Sequence, residues 1–200
     1  MGLLVMIAGL VVFLGAHTLT TQRELRARMI ASTGDGTYKI LYSLVSALGL
    51  ALIVWGFARY RATGMIDVWE GFVSTRALSI LRHITVALML PAVILVVAAY
   101  IRGRIYATLK HPMLAGVKLW AAAHLLANGD LGSIILFGSF LGWAVFDRIS
   151  FKRRSDAGGP PIPVGGATND LIAIAVGIIA YLALAFAFHP AVIGVPVIGA

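Results

Sequence analysis

The sequence predicts an all-α fold, an integral membrane bundle of about six transmembrane helices in a single domain over residues 1–200. Three observations predict it. Sixty per cent of the chain is apolar and 12% is charged, where a soluble domain carries roughly 25% charged residues. A chain of 200 residues has no interior large enough to hide that much apolar surface from water, whereas lipid accepts it. The apolar residues fall into six runs, some close to the 20 or so residues that a helix needs to cross a bilayer. The basic residues behind the net charge of +8 sit almost entirely in the connectors between those runs. In a soluble protein such a charge would point to nucleic acid. Between membrane spans it is a topology signal and a contact for anionic lipid, so the expected partner is the lipid bilayer and no nucleic acid. The absence of cysteine excludes a disulfide framework, a thiolate metal ligand and a cysteine nucleophile.

The first run, residues 3–19, carries no charge. It lacks the basic leader and small-residue cleavage site of a signal peptide and is read as a retained span. The second run is 40–58. The third is 84–101, with a kink expected at Pro91. The fourth, 113–127, is short and carries Lys118, whose stem can snorkel its charge to the cytoplasmic surface. The fifth, 131–146, is also short. Both short runs are expected to pack inside the bundle or to be extended by their polar flanks. The sixth, 171–188, is expected to close at His189-Pro190, because the residue before proline avoids helical space. The apolar tail with Gly194 and Pro196 is too short to span and is expected at the interface.

Connectors give turns and orientation. Asn128-Gly129-Asp130 reads as a tight turn in which Asp130 caps the fifth helix. Residues 148–166 read as a flexible loop, with Asp147 and Arg148 solvated at a helix end. With six spans, the first, third and fifth connectors share one side. They hold Arg23, Arg26, Arg28 and Lys39, then Arg102, Arg104 and Lys110, then Arg148, Lys152, Arg153 and Arg154. The other side holds Arg59, Arg61, Arg76 and Arg82. By the positive-inside tendency both termini lie outside the cytoplasm. Trp69 and Phe72, in the longest outer connector, read as interface anchors.

Chemistry rests on five histidines: His17, His83, His111, His124 and His189. Ionisable residues within a membrane are costly and face a partner, a cavity or a ligand. His17 and His124 lie deepest in their runs, and the other three sit at helix edges where water and headgroups satisfy them. His111 precedes Pro112 and is expected to open the fourth helix and not to bind metal. Val117, Ala121, His124 and Asn128 share a helical face, with Trp120 one turn before His124. Small residues there, and Gly15 and Ala16 beside His17, would admit a flat macrocycle or serve close helix packing. Gly138 and Gly142 form a GxxxG that reads as packing. No histidine-plus-carboxylate set for a di-iron enzyme, no Ser/His/Asp set in a recognisable context and no phosphate-binding loop with lysine is present.

The stretch 110–130, with Lys110-His111-Pro112, Gly116, Trp120, His124 and Asn128-Gly129-Asp130, resembles the central signature of the NnrU family. The 136–144 segment also fits, as do His17, the 41–46 opening of the second helix, and His189 with its Gly194-Val195-Pro196 tail. The resemblance covers nearly the whole chain. It implies a multi-pass protein of the bacterial inner membrane associated with denitrification, that is with nitrite and nitric oxide reduction, and a redox or nitrogen-oxide reductase partner. The family is related to the zeta-carotene isomerases, which hold haem b with histidines. Carried over, the resemblance makes His17 and His124 the haem b ligands, with His83 or His189 as the reserve partner for His124. At the isomerases' cysteine, three residues before the histidine, this chain has Ala121, so thiolate exchange is unavailable and the isomerase activity is the alternative reading. A membrane methyltransferase of the isoprenylcysteine type shares the His-Pro element. Its glutamate- and tyrosine-bearing segment is replaced here by Phe146-Asp147-Arg148 and the basic residues that follow.

Overall fold

The computed structural model of the chain describes residues 1–153 and 162–197; Arg154 and the carboxyl terminus, used above for orientation, lie outside them. In chain order the elements are α1 (Gly2–Leu19), α2 (Arg23–Thr33), α3 (Asp35–Ala62), α4 (Thr75–Ala98), α5 (Arg104–Leu109), α6 (Pro112–Ala127), α7 (Leu131–Arg153) and α8 (Ala167–Ala183), which continues as a wide π-helical segment, Leu184–Ile193. Among the described residues five helices are long and apolar enough to cross a membrane: α1, α3, α4, α7 and the continuous Ala167–Ile193. The shorter apolar α6 makes the sixth element of the bundle. Large apolar side chains point outward along them, Leu171 and Ile179 being 68% and 67% exposed. Water would not tolerate such a surface on a soluble monomer, and lipid does.

Several helices run further than their apolar runs. α4 begins nine residues before the third run because Ser74 caps it, its Oγ accepting from the Ala77 N–H at 3.2 Å. It then continues through Pro91. α7 gains its length from the flank 147–153, so the fifth run is extended as expected. Asp147 is therefore buried inside a helix, and the expectation that it is solvated at a helix end is overturned. The first connector holds a helix of its own, α2, built of strong helix formers with an exposed Arg28–Glu24 pair at 3.6 Å. The sixth helix does not stop at His189-Pro190. In an α-turn the Pro190 ring would press on the carbonyl four residues back. The backbone widens into π-turns instead and ends at Gly194, which takes the left-handed conformation.

The chain divides into two compact units. The first contains Met1–Val68 and Asp130–Trp143; the second contains Trp69–Gly129 and the remainder from Ala144. In the first, α1 and α3 lie antiparallel with glycine facing backbone. A Cβ on Gly9 would stand 2.6 Å from the Ile53 nitrogen, and one on Gly49 would stand 2.8 Å from the Phe13 nitrogen. Gly2 and Gly56 repeat the contact one heptad along each helix. The Gly138–Gly142 pair, read from the sequence as packing, would meet nothing within 4 Å. In the second unit α4 packs between α6 and α8. The Thr85 hydroxyl donates to the Ala123 carbonyl at 2.7 Å, and the Tyr181 hydroxyl donates to the Val86 carbonyl at 3.1 Å. At the far end of α4, the Asp170 carboxylate accepts from the backbone N–H groups of Arg104 and Ile105, at 3.1 and 3.0 Å. That holds α5 to the first turn of α8.

Candidate functional site

Asp130 caps α7 as its sequence predicts. Its Oδ1 accepts from the Ser133 N–H at 2.9 Å. The end of α6 has its own cap residue, Asn128. Asn128 reinforces it by donating from Nδ2 to the His124 carbonyl at 2.8 Å. At the other end of α6, His111 occupies the position before the helix and Pro112 its first turn, as expected. The His111 ring lies 4.3 Å from that of Phe151.

Four of the five histidines share one device. The Nδ1 of His17 donates to the Phe13 carbonyl at 2.7 Å, that of His83 to Ser79 at 2.7 Å and that of His124 to Trp120 at 2.9 Å. His189 does the same across a π-turn, to Leu184 at 2.9 Å. A carbonyl only accepts, so Nδ1 carries the proton in each case and the neutral ring keeps its lone pair on Nε2. That is the arrangement found behind most metal-binding imidazoles. It orients each ring against its own helix at no cost in partners from elsewhere. His83 is exposed near the start of α4.

The rest of each environment differs. His17 belongs to the first unit. Phe13 stacks on its ring at 4.2 Å, Tyr42 lies at 5.5 Å and the edge of Trp143 at 5.7 Å. Trp143 also donates from its indole nitrogen to the Thr18 hydroxyl at 3.2 Å. His124 belongs to the second unit. It has Trp120 at 5.4 Å and His189 at 6.3 Å, the two imidazole planes inclined by only 21°. Ala121 and Ala123 beside it are buried. Structure therefore brings His124 and His189 together within one unit. Sequence reading placed His189 among the reserves because the helix was expected to end there. The signal that could have promoted it is the absence of any Asp, Glu, Lys or Arg after Leu171 to mark a helix end near Pro190.

No cluster of three or more His, Cys, Asp or Glu side chains able to hold a metal ion occurs among the described residues. The donor set offers paired imidazoles, His124 with His189. Such pairs suit the two axial positions of a haem, whose macrocycle already supplies four nitrogens. The residues present therefore fit a bis-histidine haem.

A family model described as NnrU protein matches residues 5–197, and the chain belongs to that family. No curated protein and no solved structure matches the chain.

Proposed function

We propose that this NnrU-family chain is a multi-pass protein of the bacterial inner membrane that holds haem b through histidines including His124 and supports nitrogen-oxide reduction or another membrane redox process. The observation that supports this reading is the Nδ1–H bond from His124 to the Trp120 carbonyl, which leaves Nε2 as the basic nitrogen. His17 carries the same lock, and the family resemblance pairs the two. Haem bound in this way supplies one-electron exchange, at a potential set by its ligands and their burial. The chain's own part is to hold the imidazoles still. The bond to the carbonyl four residues back fixes the ring, Trp120 packs against it, and the alanines at 121 and 123 keep the neighbouring volume small. Two histidines holding the haem would leave no place on the iron for a substrate, which favours electron transfer or sensing over isomerisation of a polyene. A redox or nitrogen-oxide reductase protein is the partner class this implies. The test is the visible spectrum of the full chain, purified in detergent after expression with haem supplied. A Soret band with low-spin features is expected in the wild type and its loss in His124→Ala. A colourless wild type, or a spectrum indifferent to that substitution, overturns the reading.

The same proposal sets the orientation. Basic connectors face the cytoplasm and both termini face away from it. Reporter fusions at residues 1 and 200 should both read extracytoplasmic, and a cytoplasmic signal from both would reverse the assignment.

A further inference from the structure

We infer that His189, and not His17, is the histidine that shares an iron with His124. This inference rests on the haem reading above. The first ground is spacing. Two metal–nitrogen bonds of about 2.0 Å, plus about 1.2 Å from each nitrogen to its ring centre, put opposed axial imidazoles about 6.4 Å apart, centre to centre. The same lengths at a tetrahedral angle give about 5.2 Å. The His124 and His189 rings stand 6.3 Å apart. That separation suits ligands on opposite faces of a planar macrocycle and is too wide for two ligands of a tetrahedral ion.

The second ground is orientation. Both rings are locked through Nδ1 to their own helices, at the same 2.9 Å. Their planes are nearly parallel, inclined by only 21°, although the rings come from two different helical segments. The π-segment accounts for how His189 reaches its place. Its Nδ1 finds the carbonyl five residues back, and Pro190 imposes the wider turn that allows it. Such π-turns occur often at functional sites. Closure of the helix at Pro190 would have removed this carbonyl bond.

The third ground is what already occupies His17. Phe13 covers one face of its ring, and Tyr42 and Trp143 lie within 6 Å of it, all inside the first unit. These contacts give His17 a complete role as a packed aromatic at the end of α1.

The experiment compares the full chain with His17→Ala and His189→Gly, each purified in detergent after expression with haem supplied. Retained helical circular dichroism identifies folded variants. Expected are a low-spin spectrum in the wild type and in His17→Ala, and loss of the low-spin bands in His189→Gly. Added imidazole, which can enter the space left by the side chain, should bring those bands back. Three results overturn the assignment while leaving haem binding intact: a low-spin spectrum in His189→Gly without imidazole, a loss there that imidazole does not reverse, or loss of the bands in folded His17→Ala. A wild type without a Soret band instead removes the haem reading on which the inference stands.

Discussion

Both compact units bring glycine against backbone, but they differ in their prolines and in the side chain–carbonyl bonds between their helices. Among the described residues every proline falls in the second unit and none in the first. In the first, unbroken helices present bare backbone to one another at Gly2, Gly9, Gly49 and Gly56. Contact there is dispersion between main chains, and small residues are what allow it. In the second, α4 carries Pro91, which leaves the Ala87 carbonyl without its helical donor. Side chains on neighbouring helices take up the polar work nearby. Tyr181 donates to Val86, one residue away, and Thr85 donates to the carbonyl of Ala123. In lipid an unsatisfied carbonyl costs several kcal/mol, so such bonds come with a proline-bearing helix. The second unit also sets glycine against backbone, a Cβ on Gly116 standing 2.7 Å from the Ala92 carbonyl, and it adds to that contact the rotatable side chains of Thr85 and Tyr181. The His124–His189 pair lies in this second unit.

The largest effect should come from filling the glycine contact. Gly9→Leu drives a side chain into the Ile53 nitrogen and the Gly49 carbonyl, at 2.6 and 2.8 Å from its first carbon. Backbone cannot rotate aside, so α1 and α3 must separate, at a cost of about 3 kcal/mol. Gly138→Leu adds the same atoms where nothing lies within 4 Å, and it should cost about 1 kcal/mol or less. Unfolding of the two variants in detergent, followed by circular dichroism, measures the gap. Equal stability would show that glycine packing is not what holds the first unit.

Much of the bundle was legible because hydropathy reports which segments prefer lipid. The six runs, the Asp130 cap and the His111-Pro112 start of α6 all follow from residue type at one place in the chain. Partnership between helices was less legible. α1 and α3 are apolar on every side, so no amphipathic stripe marks the face that packs. A glycine at the contact, lacking a side chain, looks like any other glycine. The sequence therefore drew attention to Gly138 and Gly142, while the contact is made by Gly9 and Gly49. The polar starts of helices were missed for the opposite reason. Ser74 and the residues of α2 read as connector by hydropathy, although serine before a helix and Arg/Glu-rich composition favour helix formation. His189 was placed at a helix edge and kept in reserve because Pro190 was expected to close the helix, and the chain instead widens past it.

The smallest effect tests the second unit on its own grounds. The Thr85 hydroxyl has one proton and two carbonyls within reach, Leu81 of its own helix at 2.9 Å and Ala123 of α6 at 2.7 Å. Thr85→Val keeps the shape and removes the donor. An interhelical hydrogen bond in a membrane protein averages about 0.6 kcal/mol, so the loss of stability should be about that size, several times less than for Gly9→Leu. Thr85→Ser, which keeps the hydroxyl, should recover it. Ala123 adjoins His124, so the same bond also steadies the end of α6 that carries His124. A Thr85→Val loss as large as that of Gly9→Leu would mean that this one bond, and not the close approach of Gly116 to Ala92, dominates the α4–α6 contact. A small loss recovered by serine would establish that the bond only supplements that packing, at the end of α6 where His124 stands.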